Sequence, residues 1–129
     1  MNKSKYGFKD NIEKETLDND DYRRVVYTGK LQLVYMKLRP GEDIGEETHE
    51  GHDQFFRFEA GHGKVIINEE EFEVEDGDAV VVPSGAKHNV INISETEDLK
   101  LYTIYAPPEH KDGKVHHTKL DQENDPDYN

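Results

Sequence analysis

The sequence predicts an all-β sandwich or barrel. Three observations carry that expectation. Almost all of the β-branched and aromatic residues fall between residues 22 and 106. Turn-forming residues break this zone into short runs about eight to twelve residues apart. No stretch of it shows the three-to-four-residue repeat of an amphipathic helix.

The elements follow in order. Residues 22–28 and 31–38 read as strands separated by the turn signal Gly29-Lys30. Residues 54–60 alternate and are rich in aromatics, and Gly61-His62-Gly63 ends the run. Residues 64–67 and 71–75 flank Asn68-Glu69-Glu70, a hairpin candidate. Asp76-Gly77-Asp78 is a further turn, followed by a short strand over 79–82. After the turn Pro83 to Gly85, residues 87–93 and 99–106 complete the set.

This strand-rich zone, 22–106, is expected to be the only domain. Residues 1–21 read as a polar arm ending in Asp18-Asn19-Asp20-Asp21, and residues 107–129, opening with Pro107-Pro108, as a polar surface tail carrying His110, His116 and His117, in preference to one folded across the barrel mouth or a dimer partner.

Composition excludes several functions. The chain of 129 residues has 29 acidic and 16 basic side chains, a formal net charge of -13. Nucleic-acid or anionic-membrane binding needs a basic face, so neither is expected. With no cysteine, thiol nucleophiles, disulfides and thiolate metal centres are ruled out. No window approaches the roughly 20 apolar residues of a membrane span, and residues 1–10 lack the apolar core of a signal peptide. A cytoplasmic protein is the expectation.

Four side chains stand where chemistry could occur. Glu47 and His49 are two apart, so on an extended strand they share a face. Gln54 shares parity with Phe56 and Phe58, which places it inward at the edge of an aromatic wall. His88 follows a Gly/Pro turn and shares parity with Val90 and Asn92. Two imidazoles, a carboxylate and an amide on neighbouring strands can converge on one metal ion. His52 is expected to be an exposed loop residue facing away from His49. His62 sits in a turn that lacks the features of a phosphate loop. Arg57 is opposite Gln54 in parity and so outward. Tyr102 and Tyr105 have opposite parity, so one of them faces the interior; Tyr102 joins Phe56 and Phe58 as the expected pocket lining.

The spacing of these residues resembles that of the cupins. Gly77-x5-Pro83-x-Gly85-x2-His88-x3-Asn92 matches the second cupin motif at every marked position. The first motif, Gly-x5-His-x-His-x4-Glu-x6-Gly, is similar to Gly41-x5-Glu47-x-His49-x4-Gln54-x6-Gly61, with Glu for the first His and Gln for the Glu. The resemblance covers roughly residues 30–106. It implies a double-stranded β-helix, or jelly-roll, barrel with polar extensions. It also implies one divalent transition metal (Mn, Fe, Ni or Zn) held by Glu47, His49, Gln54 and His88. The carboxylate has in effect moved from position 54 to position 47, so the set keeps a single negative charge. Glu47 is then either a ligand or a catalytic base.

Several functions are compatible with such a barrel. The leading expectation is a metal-dependent isomerase acting on a sugar or sugar acid, because cupins that open unsaturated uronate rings also carry Gln at the position of Gln54. The barrel also resembles that of mannose-6-phosphate-isomerase-like proteins. No inward Arg or Lys is evident, which counts against phosphorylated sugars. The alternatives are a non-haem iron dioxygenase using Glu47, His49 and His88 as a facial triad, and a non-enzymatic small-molecule-binding module. A homodimer is expected, with residues 22–38 contributing, because barrel edges need covering.

Overall fold

The structure is a computed structural model and describes residues 7–128. Helix α1 (Ile12–Asp18) leads into strands β1 (Arg23–Thr28), β2 (Gln32–Leu38), β3 (Glu47–Thr48), β4 (Asp53–Ala60), β5 (His62–Ile67), β6 (Glu70–Glu75), β7 (Ala79–Val82), β8 (Lys87–Asn92) and β9 (Leu99–Ala106). A short β10 (Val115–His116), helix α2 (Lys119–Glu123) and a 3-10 turn (Pro126–Tyr128) follow. The strands form a six-stranded sheet, ordered β10-β1-β2-β9-β4-β7, and a four-stranded sheet, ordered β3-β8-β5-β6. All pairings are antiparallel. Two such sheets enclosing one core are the jelly-roll barrel that the motif spacing implies.

The alternation of the sequence is what closes the barrel. Residues directly opposite in register share a face, so the six-stranded sheet presents three inner rows. One runs Gln32, Tyr105, Gln54, Val82; the next Val25, Val34, Thr103, Phe56, Val80; the third Arg23, Met36, Leu101, Phe58. From the other sheet, Val65, Val74 and Val90 complete the core cluster. Gly61 ends β4 with φ +95, and a Cβ there would collide with the Asp98 carbonyl, so this motif position admits only glycine.

The terminal segments are less peripheral than their composition suggests. Asn11 caps α1 by accepting from Lys14 N–H, and Phe8 and Ile12 pack on the outer face of the large sheet. The segment after β9 is not a loose surface tail. β10 pairs with β1, His116 is buried, and Thr118 with Asp121 forms a capping box at the start of α2. The difference comes from polar rather than apolar anchoring. Gln32 Oε1 accepts from the backbone N–H of Glu109 (3.1 Å) and of His110 (2.9 Å), and its Nε2 donates to the His110 carbonyl at 2.7 Å. β1, expected at a subunit contact, is thus paired on both edges, with β2 and β10. Among the described residues no helix is long and apolar enough to cross a membrane.

Candidate metal and ligand site

The two sheets bring the sequence-predicted residues to one end of the barrel. Glu47 on β3 lies directly opposite His88 on β8. His49 follows β3, and its carbonyl accepts the Gly85 N–H at 3.0 Å, which ties the loop before β4 to the turn before β8. Gln54 projects from β4 in the inner row beside Tyr105. His88 and Gln54 are 5% and 3% exposed. His88 Nε2 faces Gln54 Oε1 at 3.1 Å across the barrel, and the His49 and His88 rings lie 5.4 Å apart.

The hydrogen-bond partners fix the imidazoles. His88 Nδ1 is 3.0 Å from the Ala86 carbonyl, which can only accept, so in the matching tautomer the proton sits on Nδ1 and the lone pair at Nε2. Gln54 Nε2 donates to Thr103 Oγ1 at 3.0 Å, which aims Oε1 at that same lone pair. Two acceptors face each other. A cation between them relieves this, and so does an amide rotated to accept from the Thr103 hydroxyl. At His49, Nδ1 lies 3.3 Å from Glu109 Oε2, and the carboxylate favours the proton on that nitrogen. His49 Nε2 is buried without a hydrogen-bond partner, with Glu47 Oε2 at 3.5 Å. Both rings therefore have Nδ1 engaged by an oxygen and Nε2 turned inward, the arrangement by which outer partners orient metal-binding histidines.

Among the described residues, no three His, Asp, Glu or Cys side chains are gathered closely enough to hold a metal ion by themselves. The donor set nonetheless fits a divalent transition metal in kind. It offers two imidazole nitrogens, one carboxylate and one amide oxygen, and an orphaned buried Nε2 is the atom such an ion would satisfy.

Around these residues the placement is mixed. Phe56 and Phe58 line the interior as expected: Phe56 meets His88 edge-on at 6.3 Å and stacks on Phe58 at 6.4 Å. Tyr102 does not line it. Its partner in register is Tyr35, and it packs in the outer cluster with Val26 and Leu33. Tyr105 is the inward phenol, edge-on to His49 at 5.8 Å. The signal for it was available, because Tyr105 shares parity with Leu99 and Leu101, both wholly buried. Arg57 faces outward and pairs with Glu59 at 3.3 Å.

Three contributors escaped the sequence reading. Glu109 enters from the segment after β9 and approaches His52 Nε2 (3.7 Å) as well as His49. His52 is accordingly half-buried, its Nδ1 bonded to the Pro107 carbonyl at 2.6 Å. His110 lies between two phenols, with Nε2 3.1 Å from Tyr105 Oη and Nδ1 2.6 Å from Tyr128 Oη. Burial, with the nearby Arg23 charge adding to it, pushes the His110 pKa down to about 2, so the ring is neutral and hydrogen-bonds to both phenols. Burial likewise pushes the Tyr105 phenol up, making it a hydrogen-bond donor rather than a base. Nothing in the polar 107–128 stretch marks these positions. The third is Arg23, an inward arginine where none was evident from the sequence.

Comparison with known proteins agrees with this geometry. Residues 34–105 match the family described as "Cupin domain". The uncharacterized protein YrkC of Bacillus subtilis is 47% identical over 118 residues, covering 86% of this chain and 63% of YrkC. The chain thus spans less than two thirds of that relative. The crystal structure of BH2720 from Bacillus halodurans is similar, with a TM-score of 0.85 and 45% identity over 88% of this chain and 91% of that one. An oxalate-binding protein of Thermotoga maritima is 31% identical over 69 residues, 54% of this chain and 56% of that protein.

Proposed function

The chain belongs to the cupin domain family, and on that premise we propose that its barrel is a divalent-metal site serving a metal-dependent isomerase of a sugar or sugar acid. The observation that carries the reading is the pair of inward Nε2 atoms on His49 and His88, each ring fixed through Nδ1 by the Glu109 carboxylate or the Ala86 carbonyl. His49, His88 and Gln54 would hold the ion, with Glu47 as ligand or base. When bound, the metal would polarise a carbonyl or hydroxyl oxygen of the substrate.

The chain's own residues would supply the rest. Glu47, partly exposed and 3.5 Å from His49 Nε2, is the carboxylate free to accept a proton. Tyr105 keeps its proton and can donate a hydrogen bond to a substrate oxygen. Phe56, Phe58 and the segment carrying Glu109 and His110 exclude water, which strengthens each polar contact inside. A carboxylate-bearing substrate accords with the oxalate-binding relative.

The test is elemental analysis of untagged protein purified without chelators, beside the His49→Ala/His88→Ala double variant. About one metal per chain in the wild type and loss of it in the variant is the expected result. A wild type that carries none, and takes up none of Mn, Fe, Ni or Zn on titration, removes the metal-dependent reading. A second reading has its own observation: Glu47 opposite His88 and beside His49 places two imidazoles and one carboxylate as in a facial triad. Bound iron with substrate-dependent oxygen uptake would favour a dioxygenase; ring opening or epimerisation without oxygen uptake would favour the isomerase.

A further inference from the structure

Each sheet ends in a free edge, and the two edges flank one groove. β6 is the last strand of the four-stranded sheet and β7 the last of the six-stranded one. The turn Asp76-Gly77-Asp78 joins them. There the edges are closed: Asp78 N–H donates to the Glu75 carbonyl (3.0 Å), and Glu75 N–H to Asp78 Oδ2 (2.8 Å). Beyond the turn lies a groove of about 400 Å³, lined by Ile67, Phe72 and Val74 on one side and Val80 and Val81 on the other. Phe72 is 42% and Val81 60% exposed. An open strand edge beside uncovered apolar side chains is a template for a further strand.

The register shows which backbone groups of β6 are unused. Asn68 and Glu69 form a two-residue hairpin loop closed by the Ile67–Glu70 pair, with Asn68 at φ 54. The closing pair of such a loop is hydrogen-bonded, so alternation commits Phe72 and Val74 to β5 as well. The N–H and C=O groups of Glu71 and Glu73 therefore point away from β5, where they meet no partner among the described residues. Their side chains stand on the outer face, because Phe72 lies opposite the wholly buried Val65 on the inner one. Residues 69–78 hold seven acidic side chains and no basic one, so the edge is strongly negative. Lys64 lies 3.2 Å from Glu71, while Glu73 has no ion pair among the described residues.

We propose that β6 accepts, as an added antiparallel strand, an extended segment of another protein in which Lys or Arg alternates with apolar residues. Side chains of that strand opposite Glu71 and Glu73 share their face, and those opposite Phe72 share the inner face. The first set is cationic, because opposite charges directly across a pair stabilise it. The second is apolar and enters the groove. Backbone bonds to Glu71 and Glu73 supply affinity, and the alternating side chains supply specificity. A second copy of this chain does not fit. Pairing β6 with β6 would set Glu against Glu in chains that each carry a net charge of -13. β8 and β5 separate β6 from β3, which carries Glu47, so this surface stands apart from the proposed metal site.

Amide hydrogen exchange of the full chain, read by NMR at physiological ionic strength, tests this with three end-capped peptides. The first is KVKVKVK. The second is its charge-reversed counterpart EVEVEVE. The third is KVKVKVK with backbone N-methyl groups on its lysines, which keeps every charge but removes the donors that would face β6. The first peptide is expected to slow exchange at the Glu71 and Glu73 amides at least about tenfold, and the other two to leave it unchanged. In the Glu71→Lys/Glu73→Lys variant the preference should reverse, with EVEVEVE protecting those amides. Should that variant not fold, the three peptides on the wild type decide. The proposal is overturned if KVKVKVK gives no slowing up to its solubility limit. Equal slowing by the N-methylated peptide also overturns it, since charge alone would then act. So does protection of both amides in peptide-free protein that sediments as a dimer, which would assign the edge to a second copy.

Discussion

The large sheet carries a hydrophobic cluster on each face, and the two are built for different ends. On the outer face, Val26, Leu33 and Tyr35 are covered by Phe8, Ile12 and Tyr102. Polar groups there close on one another only in part: Tyr35 Oη donates to Asp10 at 2.8 Å and Arg57 Nη2 lies 3.3 Å from Glu59, but Arg57 Nε and Glu59 Oε1 are buried without hydrogen-bond partners. On the inner face a larger cluster surrounds Gln54, Thr103, His88 and Arg23, all nearly inaccessible. There the His88 and Gln54 acceptors face each other, and His49 Nε2 has no hydrogen-bond partner. The outer cluster fastens an arm to the barrel; the inner one holds polar atoms in a dry space where they act strongly. Because burying unmet polar groups destabilises the fold, the apolar part of the interior must offset them.

That division yields a large expected effect. Phe58 is wholly buried between Phe56 and Leu101, so Phe58→Ala should destabilise the chain by about 3–5 kcal/mol in denaturant unfolding. A loss below about 1 kcal/mol would mean that the interior is not tightly packed and that the contrast between the faces is overstated.

A second effect tests the mouth of the barrel. His110 has a folded-state pKa near 2 because burial disfavours its charged form, whereas the unfolded chain titrates near the ordinary value, about 6.5. Below about 6.5 the unfolded state binds a proton that the folded state refuses. The contribution is therefore complete above that pH and is lost progressively as pH falls toward 2, by about 1.4 kcal/mol per unit. Unfolding free energies of wild type and His110→Gln measured between pH 8 and pH 4 should diverge in slope by that amount. Parallel slopes would place His110 in water and the 107–128 segment off the barrel.

The same two faces show what could be read from the chain and what could not. Strands β1, β2 and β4 to β9 were legible because period-2 alternation and Gly/Pro/Asp turns are local signals. The nearness of Glu47 to His49 and His88, and of Gln54 to His88, was legible because fixed spacing in two motifs maps onto neighbouring strands. Tyr105 was legible in principle from the parity of Leu99 and Leu101. Glu109, His110 and β10 were not, because their anchor is Gln32, whose hydrogen bonds to residues 109 and 110 link positions far apart in sequence. Arg23 was hidden for a related reason: a charged residue at a strand start reads as solvated unless its partners, His116 and Gln122, are known.

The smallest effects sharpen the comparison most, since they exchange one oxygen on each face. Tyr105→Phe removes the hydroxyl bonded to His110 Nε2 and leaves that buried nitrogen unmet, which should cost about 1–3 kcal/mol. It should also weaken any ligand held against His49. Tyr102→Phe removes a hydroxyl from the half-buried outer face and should change stability by less than about 0.5 kcal/mol, with ligand binding unchanged. Thermal denaturation and ligand titration of both variants side by side decide the matter. If Tyr102→Phe impairs binding while Tyr105→Phe does not, the register that turns Tyr105 inward is not the one the protein uses in solution, and the residues opposite it, Gln32 and Gln54, move with it.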